Sequence, residues 1–181
     1  MWYPYFDINL EQSLKTSKLK IPPESFLESK GIVINEDYND ARGYDWFDYH
    51  LMVDKEKEFL IEAAKFSSNP VDFESILEEF ADEIDFSIPA EIGIVSLVTA
   101  LNASGYVTVS SSVGLNSTLP EHHPYVWGFC SPKNGNKLIE LAKYQPVGLV
   151  NQNLEGYEGF ELFANRIVDL HDFAKILYKN R

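Results

Sequence analysis

Cysteine is all but missing from this chain, with Cys130 alone among 181 residues. One thiol cannot close an internal disulfide, so the fold is expected to stand on packing in a reducing, cytoplasmic setting. Histidine is scarce too. His50, His122, His123 and His171 lie at spacings that match no zinc motif, and no metal or cofactor is expected. No apolar run approaches the roughly 20 residues that span a bilayer, so no membrane partner is expected. The opening Met-Trp-Tyr-Pro-Tyr-Phe-Asp lacks the basic and apolar regions of a signal peptide. A phosphate-binding glycine loop is absent, because Gly156 and Gly159 have neither a third glycine nor a following lysine.

Positive charge is the largest deficit. There are 15 Lys and Arg residues against 28 Asp and Glu, a formal net charge of −13. Between Glu36 and Glu91 the count is 17 acids to 4 bases, and elsewhere the two signs balance at 11 each. One third of the chain therefore carries the whole excess. Such a field repels nucleic-acid phosphate and anionic lipid. It attracts a basic protein and speeds the encounter. It serves equally as a solvated face that aids solubility.

What is abundant is apolar and aromatic: 45% and 14% of residues, ample for a packed core and too much for disorder. The pattern predicts one α+β domain over 1–181, a mixed or antiparallel sheet with helices packed on its face or faces. Trp2 to Leu10 reads as an edge strand, Pro23 to Lys30 as a short helix and Gly31 to Ile34 as a strand, followed by a loop to Gly43. The aromatic stretch Tyr44 to Val53 alternates broadly and is predicted as a strand, with a helix over Lys55 to Phe66. Ser68-Asn69-Pro70 starts a helix that buries Phe73, Ile76, Leu77 and Phe80 and exposes Glu74, Glu78, Glu79 and Asp82. From 89 to 181 the order is α-β-β-α-β-β-α. It comprises a largely buried helix to Ala103, strands at Tyr106–Ser110 and Tyr125–Cys130, and a helix capped by Ser131-Pro132. Two strands hinged at Glu155-Gly156 follow, then a last helix capped by Asp169.

Three groups of residues are candidates for chemistry. Ser110, Ser111 and Ser112 border a polar loop that ends at Glu121-His122-His123. A serine hydroxyl beside a histidine base is what acyl transfer needs, yet no G-x-S-x-G elbow is present, and serines in turns also hydrogen-bond exposed backbone. His122 and His123 with Glu121 suggest a metal, but neighbours on an extended segment point to opposite sides. Asp45, Asp48 and His50, interleaved with Tyr44, Trp46, Phe47 and Tyr49, have the composition of a protein-binding surface or of an amphipathic sheet. Cys130 reads as an inert core thiol.

Leu101-Asn102 through Tyr106, then Thr108 to Gly114, resembles the strand and turn of wybutosine-synthesising tRNA methyltransferases, which carry Ser-Ser-Cys-Ser-Gly-Arg there. Ser110, Ser111 and Gly114 match, while Ser112 stands at the cysteine and Leu115 at the arginine. That likeness implies a tRNA substrate, against which the net charge of −13 argues.

Size and acidity together are similar in physical type to the immunity proteins of bacterial nuclease toxins. The reading that follows is a non-enzymatic binder that neutralises a basic protein. It uses Asp45, Trp46, Asp48, Glu74, Glu78, Glu79 and Asp82, and no nucleic acid. The alternative is a small hydrolase or ligand-binding domain built on Ser110, Ser111, His122 and His123.

Overall fold

The computed structural model describes residues 5–30, 34–35, 38–65, 75–76, 78–80, 90–114 and 122–181. Its helices are α1 (Glu24–Ser29), α2 (Trp46–Ala63), α3 (Val95–Ala103), α4 (Pro132–Ala142) and α5 (Ile167–Lys179). A two-residue hairpin pairs β1 (Ile34–Asn35) with β2 (Tyr38–Asn39). The main sheet contains β3 (Val107–Ser112), β4 (Tyr125–Phe129), β5 (Val147–Leu154) and β6 (Tyr157–Ala164) in the order β3-β4-β6-β5, every neighbour antiparallel. The architecture is α+β, with the element order predicted for 89–181. No described helix is long and apolar enough to cross a membrane.

The layers follow from side-chain alternation along the strands. Val126, Leu149, Phe160 and Leu162 point to the inner face and join the core with α3, α4 and α5. α3 is buried at every residue from Val95 to Asn102, because the sheet lies on one side of it and α2 and α5 on the other. On the outer face α1 presses Leu27 against Val107 and Phe129, and Phe26 stacks at 4.3 Å on Tyr157. The segment before α1 guards the β5 edge: Leu149 donates to Glu11 O at 2.7 Å and accepts from Ser13 N at 2.9 Å. The Gln12 amide meanwhile caps the carbonyls of Ala142 and Val147.

Several expectations are corrected. Trp2–Pro4 lie outside the described residues, and Tyr5 to Leu10 form no strand; beyond them Gln12 and Leu19 make isolated bridges, to Leu149 and Glu158. Tyr44 to Val53 is not a strand but the start of α2, which continues without a break through the predicted helix at Lys55. The deciding interaction is a capping box. The Asp45 carboxylate accepts from Phe47 N at 2.7 Å, and Asp48 reaches back to accept from Asp45 N at 2.7 Å. Buried Tyr49, Met52, Phe59, Leu60 and Ala63 then follow helical spacing. Asp169 does not cap α5: it sits inside the first turn and takes a two-point ion pair from Arg166, at 2.7 and 3.0 Å. Of the helix predicted from Pro70, residues 75–76 and 78–80 are helical. Ile76 is buried, Phe80 packs edge-on to Phe59 at 5.7 Å, and Glu78 and Glu79 are exposed. Phe73, Glu74, Leu77 and Asp82 lie outside the described residues.

Replacing Asp45 with Ala removes the acceptor for two orphan N–H groups at the start of α2. The expected loss is about 0.5–2 kcal/mol of stability by urea denaturation. A change indistinguishable from zero would refute the capping assignment.

Candidate functional site

β3 contains an irregularity that decides what faces outward. Thr108 pairs with Gly128 and Ser110 with Trp127, so Val109 is an extra residue opposite no partner. The two strands approach closely here; a Cβ on Gly128 would come within 2.4 Å of Val107 O, so only glycine fits. Beyond the bulge the alternation is reset. Ser110 and Ser112 stand beside outward Trp127 and Tyr125, whereas Ser111 stands opposite core Val126 and faces the helices.

Past the reach of α1, no described helix or strand covers the outer face. Val109, Ser110, His123, Tyr125, Trp127, Gln152, Leu154 and Glu161 line a groove of about 360 Å³ there. Glu161 lies opposite Trp127 in the β4–β6 ladder. His123 Nε2 is 3.3 Å from Glu161 Oε1, and the Gln152 amide donates to Oε2. Burial by itself would raise this carboxyl; the hydrogen bonds from His123 and Gln152 overcome it and hold Glu161 below the usual range. An ionised carboxylate only accepts, so Nε2 carries the proton in this pair. Phe163 stacks edge-on to the His123 ring at 5.3 Å and itself lies over Gly148, where a Cβ would fall 2.1 Å from the ring. The Ser110 hydroxyl is 3.0 Å from the Tyr125 hydroxyl.

Of the serine and histidine candidates, then, the fold brings Ser110 and His123 into one groove. Ser111 is on the opposite face, and His122 is exposed and outside the lining. Asp45 and Asp48 are engaged at the start of α2, and half-buried Trp46 packs against Tyr49 and Tyr178 at 5.6 Å each. Glu161 and Gln152 were missed. The signal was available only through register, because each is one polar residue in an alternating strand. Cys130 is buried, and burial pushes its thiol up to about 12, as an inert core thiol requires. Among the described residues no three His, Cys, Asp or Glu side chains gather to hold a metal ion.

A second polar cluster was also missed, and it is enclosed. Glu56, on α2, has no exposed surface. Its Oε1 is 2.6 Å from His171 Nδ1 on α5 and accepts from the Ser96 hydroxyl; its Oε2 accepts from Ser96 N on α3 at 2.9 Å. His171 Nε2 has no partner among the described residues. Serine, histidine and glutamate together invite a catalytic reading, but the hydroxyl donates to the carboxylate and all three are sealed from solvent. The arrangement joins three helices. Its sequence signal was a glutamate in the buried stripe, four residues after Met52 and three before Phe59.

No protein-family model, curated protein or solved structure matches this chain.

Removing one member of the enclosed cluster strands the others. Glu56→Ala is expected to cost about 3–5 kcal/mol. The combined Glu56→Met, Ser96→Ala, His171→Leu variant should cost far less than its single changes summed. Additive losses in urea titrations would show that the three do not act as a unit.

Glu161 makes a pH-dependent contribution. Its carboxyl is lowered in the fold, so that stabilisation is complete above the ordinary value of 4.5 and disappears as pH falls through the lower folded value. Glu161→Gln should therefore be less stable than the parent at neutral pH, the gap closing in acid. Melting curves between pH 7 and pH 2 would reveal it, and a gap that widens in acid would be the wrong sign.

Proposed function

We propose that this chain is a non-enzymatic binding protein that docks a basic protein on the outer face of α2. One observation carries the reading. Phe47, Leu51 and Ile61 are 69%, 46% and 50% exposed, and they share a stripe with exposed Asp54 and Glu58 at positions 47, 51, 54, 58 and 61. Those steps of four and three keep one side of a helix in line. Large apolar residues set among carboxylates suit a partner with apolar anchoring pockets between basic groups. Exposed Glu78 and Glu79 belong to the same acidic third of the chain. Within it Arg42 is already neutralised, held by Asp40 at 2.8 Å and Glu24 at 2.7 Å.

The anchoring role falls to Phe47 rather than Trp46, since Trp46 is packed on the C-terminal helix. Asp45 and Asp48 set the start of the helix that presents the stripe. Occlusion of a cationic cleft, as an inhibitor of a nuclease toxin would achieve it, is the form of neutralisation this surface fits. A hydrolytic reading rests on Ser110 and His123 sharing a groove. The contacts in that groove run from serine to tyrosine and from histidine to glutamate, a pattern better suited to holding a ligand than to activating a nucleophile.

The test is association kinetics with the basic partner obtained by co-purification. Reversing Asp54, Glu58, Glu78 and Glu79 to Lys should slow association at least tenfold at low salt, with the difference shrinking at physiological salt. Phe47→Ala should instead speed dissociation, by about 2 kcal/mol if it is an anchor. Reversal of Glu155 and Asp172 should do little. Equal effects from the two charge sets, or an association rate indifferent to salt, would overturn the reading.

A further inference from the structure

The outer-face groove is a second site, on the opposite side of the sheet from α2, and its chemistry goes beyond the docking surface. We propose that it binds an alkylammonium group, with Glu161 as counter-ion and Trp127 and Tyr125 as the aromatic surface.

Three observations lead there. The first is charge. The eight described residues that line the groove include one carboxylate and no lysine or arginine. The Glu161 side chain is 13% exposed, and its carboxyl is held low by His123 and Gln152, so the groove holds an ionised carboxylate out of full contact with water, its charge shared with the His123 imidazole. A desolvated carboxylate is the group that gains most from an incoming cation. The −13 net charge of the chain draws cations toward it from a distance.

The second is aromatic placement. Tyr125 and Trp127 are two residues apart on β4, hence on one face and roughly 7 Å from each other along the strand. Trp127 is directly opposite Glu161. Indole and phenol faces attract ammonium groups electrostatically, and more so where water is partly excluded. The third is spare acceptor capacity. His123 takes one position on Oε1 and Gln152 one on Oε2, while a carboxylate offers about four. An ammonium can therefore reach Glu161 without breaking the contacts that orient it. The hydroxyls of Ser110 and Tyr125, 3.0 Å apart, add oxygen acceptors at the rim. Leu154 and Val109 supply apolar walls for the carbon substituents of the cation.

An alkylammonium occurs both as a free amine and as a lysine side chain, so the experiment uses both. The intact protein is titrated by NMR with tetramethylammonium chloride, and separately with an acetylated, amidated Gly-Lys-Gly peptide. As control, 3,3-dimethylbutanol offers an uncharged tert-butyl group of similar bulk. The expected result is a saturable shift of the Trp127 indole N–H with at least one cation, and none with the alcohol at equal concentration. Saturation by tetramethylammonium alone assigns a free, fully substituted ammonium ion; saturation by the peptide alone assigns a protein side chain. Glu161→Gln, which keeps shape and removes charge, should weaken binding at least tenfold. Trp127→Phe, followed through the backbone amide signals of Tyr125 and Glu161, should weaken it less, and Asp172→Asn not at all. Folding of each variant is read from the dispersed methyl signals of the core. Binding of the alcohol as tight as the cation, undiminished binding by folded Glu161→Gln, or no saturable shift with either cation would overturn the proposal. The kinetics of docking on α2 are measured separately, so either site can fail without the other.

Discussion

A carboxylate without exposed surface is tolerable only where donors are already fixed around it, and Glu56 imposes that condition on three helices at once. α2 supplies the acid, α3 a hydroxyl and a backbone N–H, and α5 an imidazole. A slide of any one helix by a residue would leave a buried polar group without a partner, at a cost of several kcal/mol. Apolar packing alone tolerates such slides; the cluster does not. The angle at which α2 crosses α3 and α5 is thereby fixed, as is the direction in which its outer stripe faces.

With the longer described helices on one side of the sheet, the other side is covered, among the described residues, chiefly by α1. α1 is six residues long, and it hides the end of the sheet near Phe129 and Tyr157. The remainder keeps its aromatic and polar side chains half in water. The two candidate surfaces thus follow from one asymmetry among the described residues, a deep layer of helices inside and one short helix outside. They also differ in kind. The α2 stripe is convex and joins apolar groups to carboxylates on its crest, suiting a large partner. The groove is concave and centred on one carboxylate, suiting a small group.

The region from 89 onward was legible because its signals are local. Ser131-Pro132 caps α4 through a serine that accepts from Asn134 N at 3.2 Å. Glu155 and Gly156 take the positive φ of a tight turn, at 48° and 88°, and α3 carries Val95, Leu97, Val98, Ala100 and Leu101, too apolar a run for a surface helix. Residues 44–53 misled for a physical reason. Their aromatics alternate as strand residues do, while the helical stripe is interrupted by Glu56, the residue that matters most in it. Asp169 misled because an acid near a helix start has two uses, and Arg166 claimed it. The groove could not be read at all. Glu161 is one of 28 acids, and only the pairing of β4 with β6, together with the return of His123 across the sheet, distinguishes it from the rest.

The extra residue in β3 gives that strand two reading frames. Before Val109 the odd-numbered positions face outward, and after it the even-numbered ones do. The sequence Val-Thr-Val-Ser-Ser-Ser is consistent with both only because of the shift. Its first half delivers valines to the patch beneath α1, and its second half delivers Ser110 and Ser112 to the open side. Without the shift, two hydroxyls would turn toward the helices and Ser111 would take their place outside. The strand's polarity is therefore encoded in phase as well as in composition, and a single insertion or deletion on either side of Val109 would exchange the interior and exterior of the sheet at its β3 edge.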